Sequence, residues 1–257
     1  MVREAEARSD ALSRHARVLH ARARDVPAGP SLELALRGGA VGVLAEVKRQ
    51  SPSKGVIAGG LDAVEQARAY AKGGAAAVSI LTEPVHFDGS NDDLTAVRAA
   101  LAIPVLKKDF HVGPLQLVEA RALGASAALL IARALSPQLL REMVQQGRAL
   151  GLELLVEVRD EEELDRAVGA GATMIGVNNR NLETLEIDPS TCERILPLVP
   201  AELLAVAESG VRSRADVECY AAAGADAVLV GSVLSASTDP ATATRALTGV
   251  PRRGRGR

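Results

Sequence analysis

The sequence predicts a single barrel of eight parallel β-strands wrapped by helices, preceded by a helical extension. Three observations point to it: the chain length, an alternation of apolar runs with amphipathic segments, and a recurring Gly-Ala pair. At 257 residues, 47% hydrophobic and 24% charged, the chain holds enough apolar material for one full core of that kind. Short runs rich in Val, Ile, Leu and Ala alternate with longer amphipathic segments from Val43 onward, as βα units do when both strand faces are covered. The strand candidates are residues 43–48, 76–81, 105–108, 127–131, 152–158, 174–178, 204–208 and 227–230. Gly74-Ala75, Gly124-Ala125, Gly171-Ala172 and Gly224-Ala225 each fall between the end of a helix and the next strand, where glycine supplies a left-handed stop. An open doubly wound sheet would share this alternation. It typically carries a GxGxxG turn after its first strand, none follows Val47, and closure into a barrel is expected.

Outside the barrel, Leu12, Val18 and Leu19 form a thin apolar stripe among Arg and Ala residues, which predicts a helix over residues 1–24 lying across the barrel. Residues 25–30, with Pro27, Gly29 and Pro30, end it. The expected organisation is a helical extension over 1–40, a catalytic barrel over 41–250 and a disordered basic tail over 251–257.

Composition narrows the partners. With 30 basic against 32 acidic side chains and a net charge of -2, no global field draws the protein to nucleic acid or membrane. The charged first turns do not read as a secretory signal, and no apolar run is long enough to span a bilayer. A cytoplasmic monomer acting on a small molecule is expected. Cys192 and Cys219 lack a CxxC partner, so both read as buried, reduced thiols, and no metal site is indicated.

Chemistry in such barrels gathers at the carboxyl ends of the strands. The first strand ends Glu46-Val47-Lys48, and the two-residue period puts Glu46 and Lys48 on one side. Alone, this pair reads equally well as a self-satisfied ion pair. Yet Lys107-Lys108-Asp109, Glu157, Asn178-Asn179-Arg180 and Glu208-Ser209-Gly210 end other strands. Burying so many charges costs several kcal/mol each, which a site for a charged substrate explains and an inert core does not.

Ser209-Gly210-Val211 and Gly231-Ser232-Val233 follow the seventh and eighth strands, where barrels often cradle phosphate. Either alone reads as a tight turn. Both together predict phosphate binding at Gly210, Gly231 and Ser232, with Ser209 beside them as a substrate contact and residues 233–236 as a short helix. Phe87 and Phe110 directly follow strands two and three, which suggests apolar walls for a planar substrate, with packing beneath a loop as the alternative. His86 and His111 lack metal-ligand spacing and read as loop residues.

The run Glu46-Val47-Lys48-Arg49-Gln50-Ser51-Pro52-Ser53-Lys54-Gly55 resembles the E-x-K-x-x-S-P-S-x-G signature of indole-3-glycerol phosphate synthases. Leu81-Thr82-Glu83, Phe87-Asp88-Gly89-Ser90, Leu106-Lys107-Lys108-Asp109-Phe110, Leu155-Val156-Glu157-Val158, Gly176-Val177-Asn178-Asn179-Arg180-Asn181-Leu182 and Ala207-Glu208-Ser209-Gly210-Val211 resemble that family's later motifs in order. The resemblance implies conversion of 1-(2-carboxyphenylamino)-1-deoxyribulose 5-phosphate to indole-3-glycerol phosphate, carbon dioxide and water, with neither metal nor organic cofactor. It implies Lys108 as general acid, Glu157 as second acid-base residue, and Glu46 with Lys48 as the pair that binds substrate and assists loss of water. Asn178 and Arg180 would position substrate, Glu208 would be the charge partner of the lysines, and Ser51 a substrate contact. Which of them moves the final proton stays open.

The extension is shorter than is usual in that family, which implies a trimmed cover over the mouth, and the pathway is either tryptophan supply or a specialised indole route. Two rivals stand beside this reading. A phosphoribosylanthranilate isomerase would share the phosphate loops, but it needs an acid-base cysteine, and neither cysteine here ends a strand. A ligand-binding barrel without turnover would have no use for buried Lys108, Glu157 and Glu46.

Overall fold

A computed structural model describes residues 1–255. Among them, strands β1 (Gly42–Val47), β2 (Ala77–Leu81), β3 (Val105–Lys108), β4 (Ala127–Ile131), β5 (Glu153–Val158), β6 (Met174–Asn178), β7 (Leu204–Glu208) and β8 (Ala227–Val230) pair in sequence, all parallel, and β8 closes on β1. The Val, Ile and Leu of these runs suit strands buried on both faces. Alternate residues face opposite ways. Leu44, Ala77, Leu106, Leu129, Leu155, Met174, Val206 and Leu229 fill the barrel, while Val43, Val78, Val105, Val156, Ile175 and Val228 join the core beneath the helices.

Helices α4 (Ala63–Lys72), α5 (Asn91–Ala100), α6 (Pro114–Ala122), α7 (Pro137–Leu150), α8 (Glu161–Ala170), α9 (Ser190–Ile195) and α10 (Arg214–Ala222) connect the strands, and α11 (Ser232–Ser235) and α12 (Pro240–Leu247) follow β8. Gly74, Gly124, Gly171 and Gly224 have φ of 94°, 85°, 87° and 101°, the left-handed conformation expected of the Gly-Ala pairs.

Ahead of the barrel, the amino-terminal helix comes in two pieces, α1 (Val2–Leu12) and α2 (Ala16–Asp25), joined by a tighter turn at Ser13–His15. The Ser13 hydroxyl donates back to Asp10 O at 2.6 Å, a local bond that competes with the helix ladder and bends it. Helix α2 packs on α6 through Leu19, Ala23, Val118 and Ala122. A third helix, α3 (Leu32–Leu36), plugs the base with Leu32 and Leu36, and the Glu153 carboxylate accepts the amides of Leu32 and Glu33 at 2.7 and 2.9 Å. Among the described residues, no helix is long and apolar enough to cross a membrane.

Within the tail, Arg252 and Arg255 are partly buried while Pro251, Arg253 and Gly254 are exposed. Arg252 and Arg255 both pair with buried Asp226, and Arg252 N donates to Gly39 O at 3.1 Å; residues 256–257 lie outside the described residues. The reason is that Asp226 is a buried carboxylate beside the start of β8, and a guanidinium is its natural counterion. Cys192 is buried as expected, whereas Cys219 is exposed, because it falls on the solvent side of α10 between the buried Val217 and Tyr220.

Candidate active site

At the carboxyl ends of the strands, period-two alternation aims Glu46, Lys108, Glu157, Asn178 and Glu208 into one mouth. Glu46, Lys48, Phe87, Lys108, Phe110, Glu157, Asn178, Arg180 and Ser209 line a cavity of about 550 Å³ there, with Leu81, Leu129 and Ile131 as its apolar wall. The cavity continues into a second one of about 1030 Å³, where Lys54, Gly210, Gly231 and Ser232 join Glu46, Lys48, Arg180 and Ser209.

Lys108 Nζ lies 3.3 Å from a carboxylate oxygen of Glu157 and 3.3 Å from one of Glu208. Burial works to strip the Lys108 proton, but the charges of Glu208, Glu157 and Glu46 outweigh it and raise the ammonium's pKa above its ordinary value. Burial drives the Glu208 carboxyl up as well, with Lys108 opposing and the other two carboxylates adding to the rise. One ammonium thus faces several carboxyls, which together hold its proton more firmly than water would.

The other oxygen of Glu157 accepts from Asn178 Nδ2 at 2.9 Å, and Asn178 Oδ1 accepts the Arg180 amide at 2.9 Å. Arg180 is fixed by a bond to Leu185 O at 2.7 Å, and burial lowers its pKa against the pull of Glu46. Lys48 forms an ion pair with Glu46. Glu46 is held from behind, since Tyr70 Oη donates to its carbonyl at 3.2 Å and Ser235 Oγ does so at 3.1 Å.

On the far side of the mouth, Ser209 and Gly210 both have left-handed backbones, with φ of 66° and 93°. A serine in that region is strained, and it is kept there by Asn179 Nδ2, which donates to Ser209 O at 2.9 Å and to Tyr220 Oη at 2.9 Å. Gly231 precedes the short α11, and with Ser232 it faces the second cavity.

The structure therefore gathers the expected site residues around the two cavities, with Glu208 lining neither but touching Lys108, and with Ser51 left out. Ser51 sits in a small hairpin formed by Gln50–Ser51 and Gly55–Val56, buried, and lines neither cavity. Lys107 illustrates the cost of ignoring alternation. It points away from the mouth, into a buried cluster with Thr82 Oγ1 at 3.0 Å, Asp109 at 3.2 Å and Glu119 at 3.4 Å.

Arg8 was not foreseen as a site residue. Its guanidinium reaches Asp109 at 2.6 Å and Glu83 at 3.4 Å, and the Glu4 carboxylate accepts from His86 Nε2 at 2.8 Å. Ala5 is fully buried in the same apolar cluster as Phe110, with Met1 and Phe87 packed against it. The extension is thereby held at the rim of the mouth, through Ala5 in the Phe110 cluster and Arg8 on Asp109 and Glu83. No local signal marks Arg8, whose partners are 75 and 101 residues away.

The profile of the indole-3-glycerol phosphate synthase family matches residues 3–247. The chain is 51% identical over 240 residues to a protein of Mycolicibacterium vanbaalenii named indole-3-glycerol phosphate synthase, covering 92% of this chain and 88% of that protein. It is 53% identical over 222 residues to the Mycolicibacterium smegmatis protein of the same name, covering 86% and 82%. Among solved structures, 3-hexulose-6-phosphate synthase from Salmonella typhimurium superposes with a TM-score of 0.64 at 16% identity, over 80% of this chain and 96% of that one. Thiamine phosphate pyrophosphorylase from Pyrococcus furiosus does so with a TM-score of 0.59 at 17% identity, over 80% and 93%. At such identity the solved structures show a shared barrel fold and nothing of the chemistry.

Proposed function

This chain belongs to the indole-3-glycerol phosphate synthase family, and from that premise we propose how the mouth performs the family's decarboxylating ring closure in tryptophan biosynthesis. The substrate, 1-(2-carboxyphenylamino)-1-deoxyribulose 5-phosphate, has three parts to place. Its phosphate sits against Ser209, Gly210, Gly231 and Ser232, where small residues let backbone amides approach. Its benzoate ring lies on Phe110, Phe87, Leu81 and Ile131, and its ketone faces Lys108.

Ring closure forms a bond between the ring carbon bearing the carboxylate and the ketone carbon. The carbonyl electron pair moves onto oxygen, which takes the Lys108 proton, so no free alkoxide develops. The bond to the carboxylate then breaks, carbon dioxide leaves, and its electron pair restores the ring's aromaticity. In the last stage the new hydroxyl departs as water, one proton being supplied to it and one removed from the ring-fused carbon skeleton. Glu157 is the second acid-base residue, with Glu46 and Lys48 binding substrate and assisting this loss. Asn178 and Arg180 orient the substrate, and Glu208 holds the charge balance around Lys108.

The observation that carries this reading is the Lys108 ammonium set between two carboxylates from separate strands, at 3.3 Å from each, beside an apolar wall. Purified protein is expected to release indole-3-glycerol phosphate, followed by indole fluorescence, since the chain has no Trp to obscure it. Lys108→Ala should lower kcat by at least about a thousandfold while its melting temperature holds within a few degrees. Near-normal turnover in that variant refutes the assignment. We place the enzyme in the cytoplasm as a monomer, a setting in line with its near-zero net charge; light scattering checks the oligomeric part.

A further inference from the structure

Bulky branched residues normally fill the inside of a barrel, yet β6 reads Met174-Ile175-Gly176-Val177-Asn178 and places a glycine at an inward position between Met174 and Asn178. Its backbone is ordinary strand, without a positive φ, so conformation does not demand glycine here. Glycine in a strand interior is a liability of about 0.5–1 kcal/mol against alanine. Something must occupy the space it leaves. A Cβ on Gly176 would stand 2.1 Å from Glu208 Oε1, 3.2 Å from Glu208 Cδ and 3.3 Å from Leu155 Cδ1.

The occupant is thus a carboxylate, folded down from the neighbouring strand β7. Its Oε1 is buried and has no hydrogen-bond partner among the described residues, while Oε2 meets Lys108 at 3.3 Å. Gly231, directly after β8, repeats the device, since a Cβ there would stand 2.5 Å from Glu46 Oε1 and 3.2 Å from Lys48 Nζ. Two absent side chains therefore sit under two of the carboxylates that surround the proposed acid. A buried oxygen without a partner costs about 1–3 kcal/mol, so this arrangement is poor as core packing.

We propose that Gly176 is a positioning residue: the side chain missing from the inner face of β6 is the space that lets Glu208 fold down and hold Lys108 in the mouth. The inference rests on the reading of Lys108 as the acid and adds a residue to it. The atom that a methyl group would meet is the free end of a flexible side chain, so the barrel can accept alanine by swinging Glu208 away. What is lost is the position of the carboxylate. A displaced Glu208 supports the ammonium less, which lowers the Lys108 proton affinity.

The test compares wild type, Gly176→Ala, Glu208→Asp and the double variant in kcat, KM, the pH profile of kcat and thermal melting. Aspartate is one methylene shorter and withdraws from the space, so it serves as the relieving change. Gly176→Ala should lower kcat by about tenfold or more with KM within about threefold, and move the alkaline limb of kcat to lower pH. In the Glu208→Asp background the same glycine change should cost less than about threefold. An equal loss in both backgrounds, or an unchanged kcat and pH profile, overturns the inference. If Gly176→Ala alone does not fold, a folded double variant supports the steric account, and an unfolded one overturns it in favour of packing against Leu155. Turnover retained in Lys108→Ala would instead sink the reading of the site, so the two failures are distinguishable.

Discussion

Adjacent lysines on β3 do opposite jobs, and the difference is set by one peptide of strand pleat. Lys108 faces the mouth, while Lys107 faces Asp109, Glu119 and Thr82 behind it, in the company of Arg8 and His111. His111 is fully enclosed and its Nδ1 lies 2.7 Å from Leu129 O. Burial, reinforced by the Lys107 charge against the opposing Asp109, pushes its pKa down to about 4 from 6.5. Below pH 6.5 the unfolded chain takes up a proton that the folded imidazole refuses, so this residue contributes a loss of stability as pH falls from about 6.5 to 4. By linkage the upper bound is roughly 3 kcal/mol. Asp109, held down to about 2 because Lys107, His111 and Arg8 outweigh its burial, contributes stability that is lost only below its unfolded value of 3.8. The variant His111→Asn, whose amide can still donate to Leu129 O, should flatten urea-measured stability between pH 6.5 and 4; an unaltered slope there would discard this account. At this scale the strand-end charges were legible because alternation is a local rule. Tyr70 and Ser235 were not, since their hydrogen bonds to Glu46 O depend on packing between elements 24 and 189 residues apart.

Among the elements, most strand boundaries were legible in the apolar runs, and residues 105–108, 127–131, 174–178, 204–208 and 227–230 coincide with β3, β4, β6, β7 and β8. Helix α3 was invisible, because its five residues are too few for periodicity and its first turn is capped by Glu153, about 120 residues on. The hold of α1 on the barrel was invisible for the same reason. Arg8 ties it to Asp109 and Glu83, and Glu4 ties it to His86. Arg8→Ala should therefore loosen α1, raising KM by about three- to tenfold with a smaller change in kcat, and speeding amide exchange over residues 2–12. Unchanged exchange together with unchanged KM would show that the apolar seat on Phe110 and Phe87 suffices without the ion pairs.

For the whole molecule, composition and the alternation of segments were enough to indicate the barrel, but closure at the seam involves more than strands. Val41 N donates to Val250 O at 2.8 Å, Ala40 bridges Pro251, and the two arginines beyond lie on Asp226, which itself accepts the Ala205 amide at 2.8 Å. Removal of residues 251–257 should cost about 1–3 kcal/mol and lower the melting temperature by several degrees, with kcat retained, because the seam's base lies opposite the mouth. A melting curve that superposes on that of the full chain would assign the tail no such role.

The segment ahead of the barrel runs from rim to floor: α1 edges the mouth, α2 descends along α6, and α3 stoppers the base. Rim and floor are cut from one ribbon, anchored firmly at its lower end by Leu32 and Leu36. A peptidase nick in the Pro27 to Pro30 stretch would leave the stopper seated and make the upper piece a separate peptide, kept in place by the Arg8 and Glu4 pairs and the seat of α2 alone.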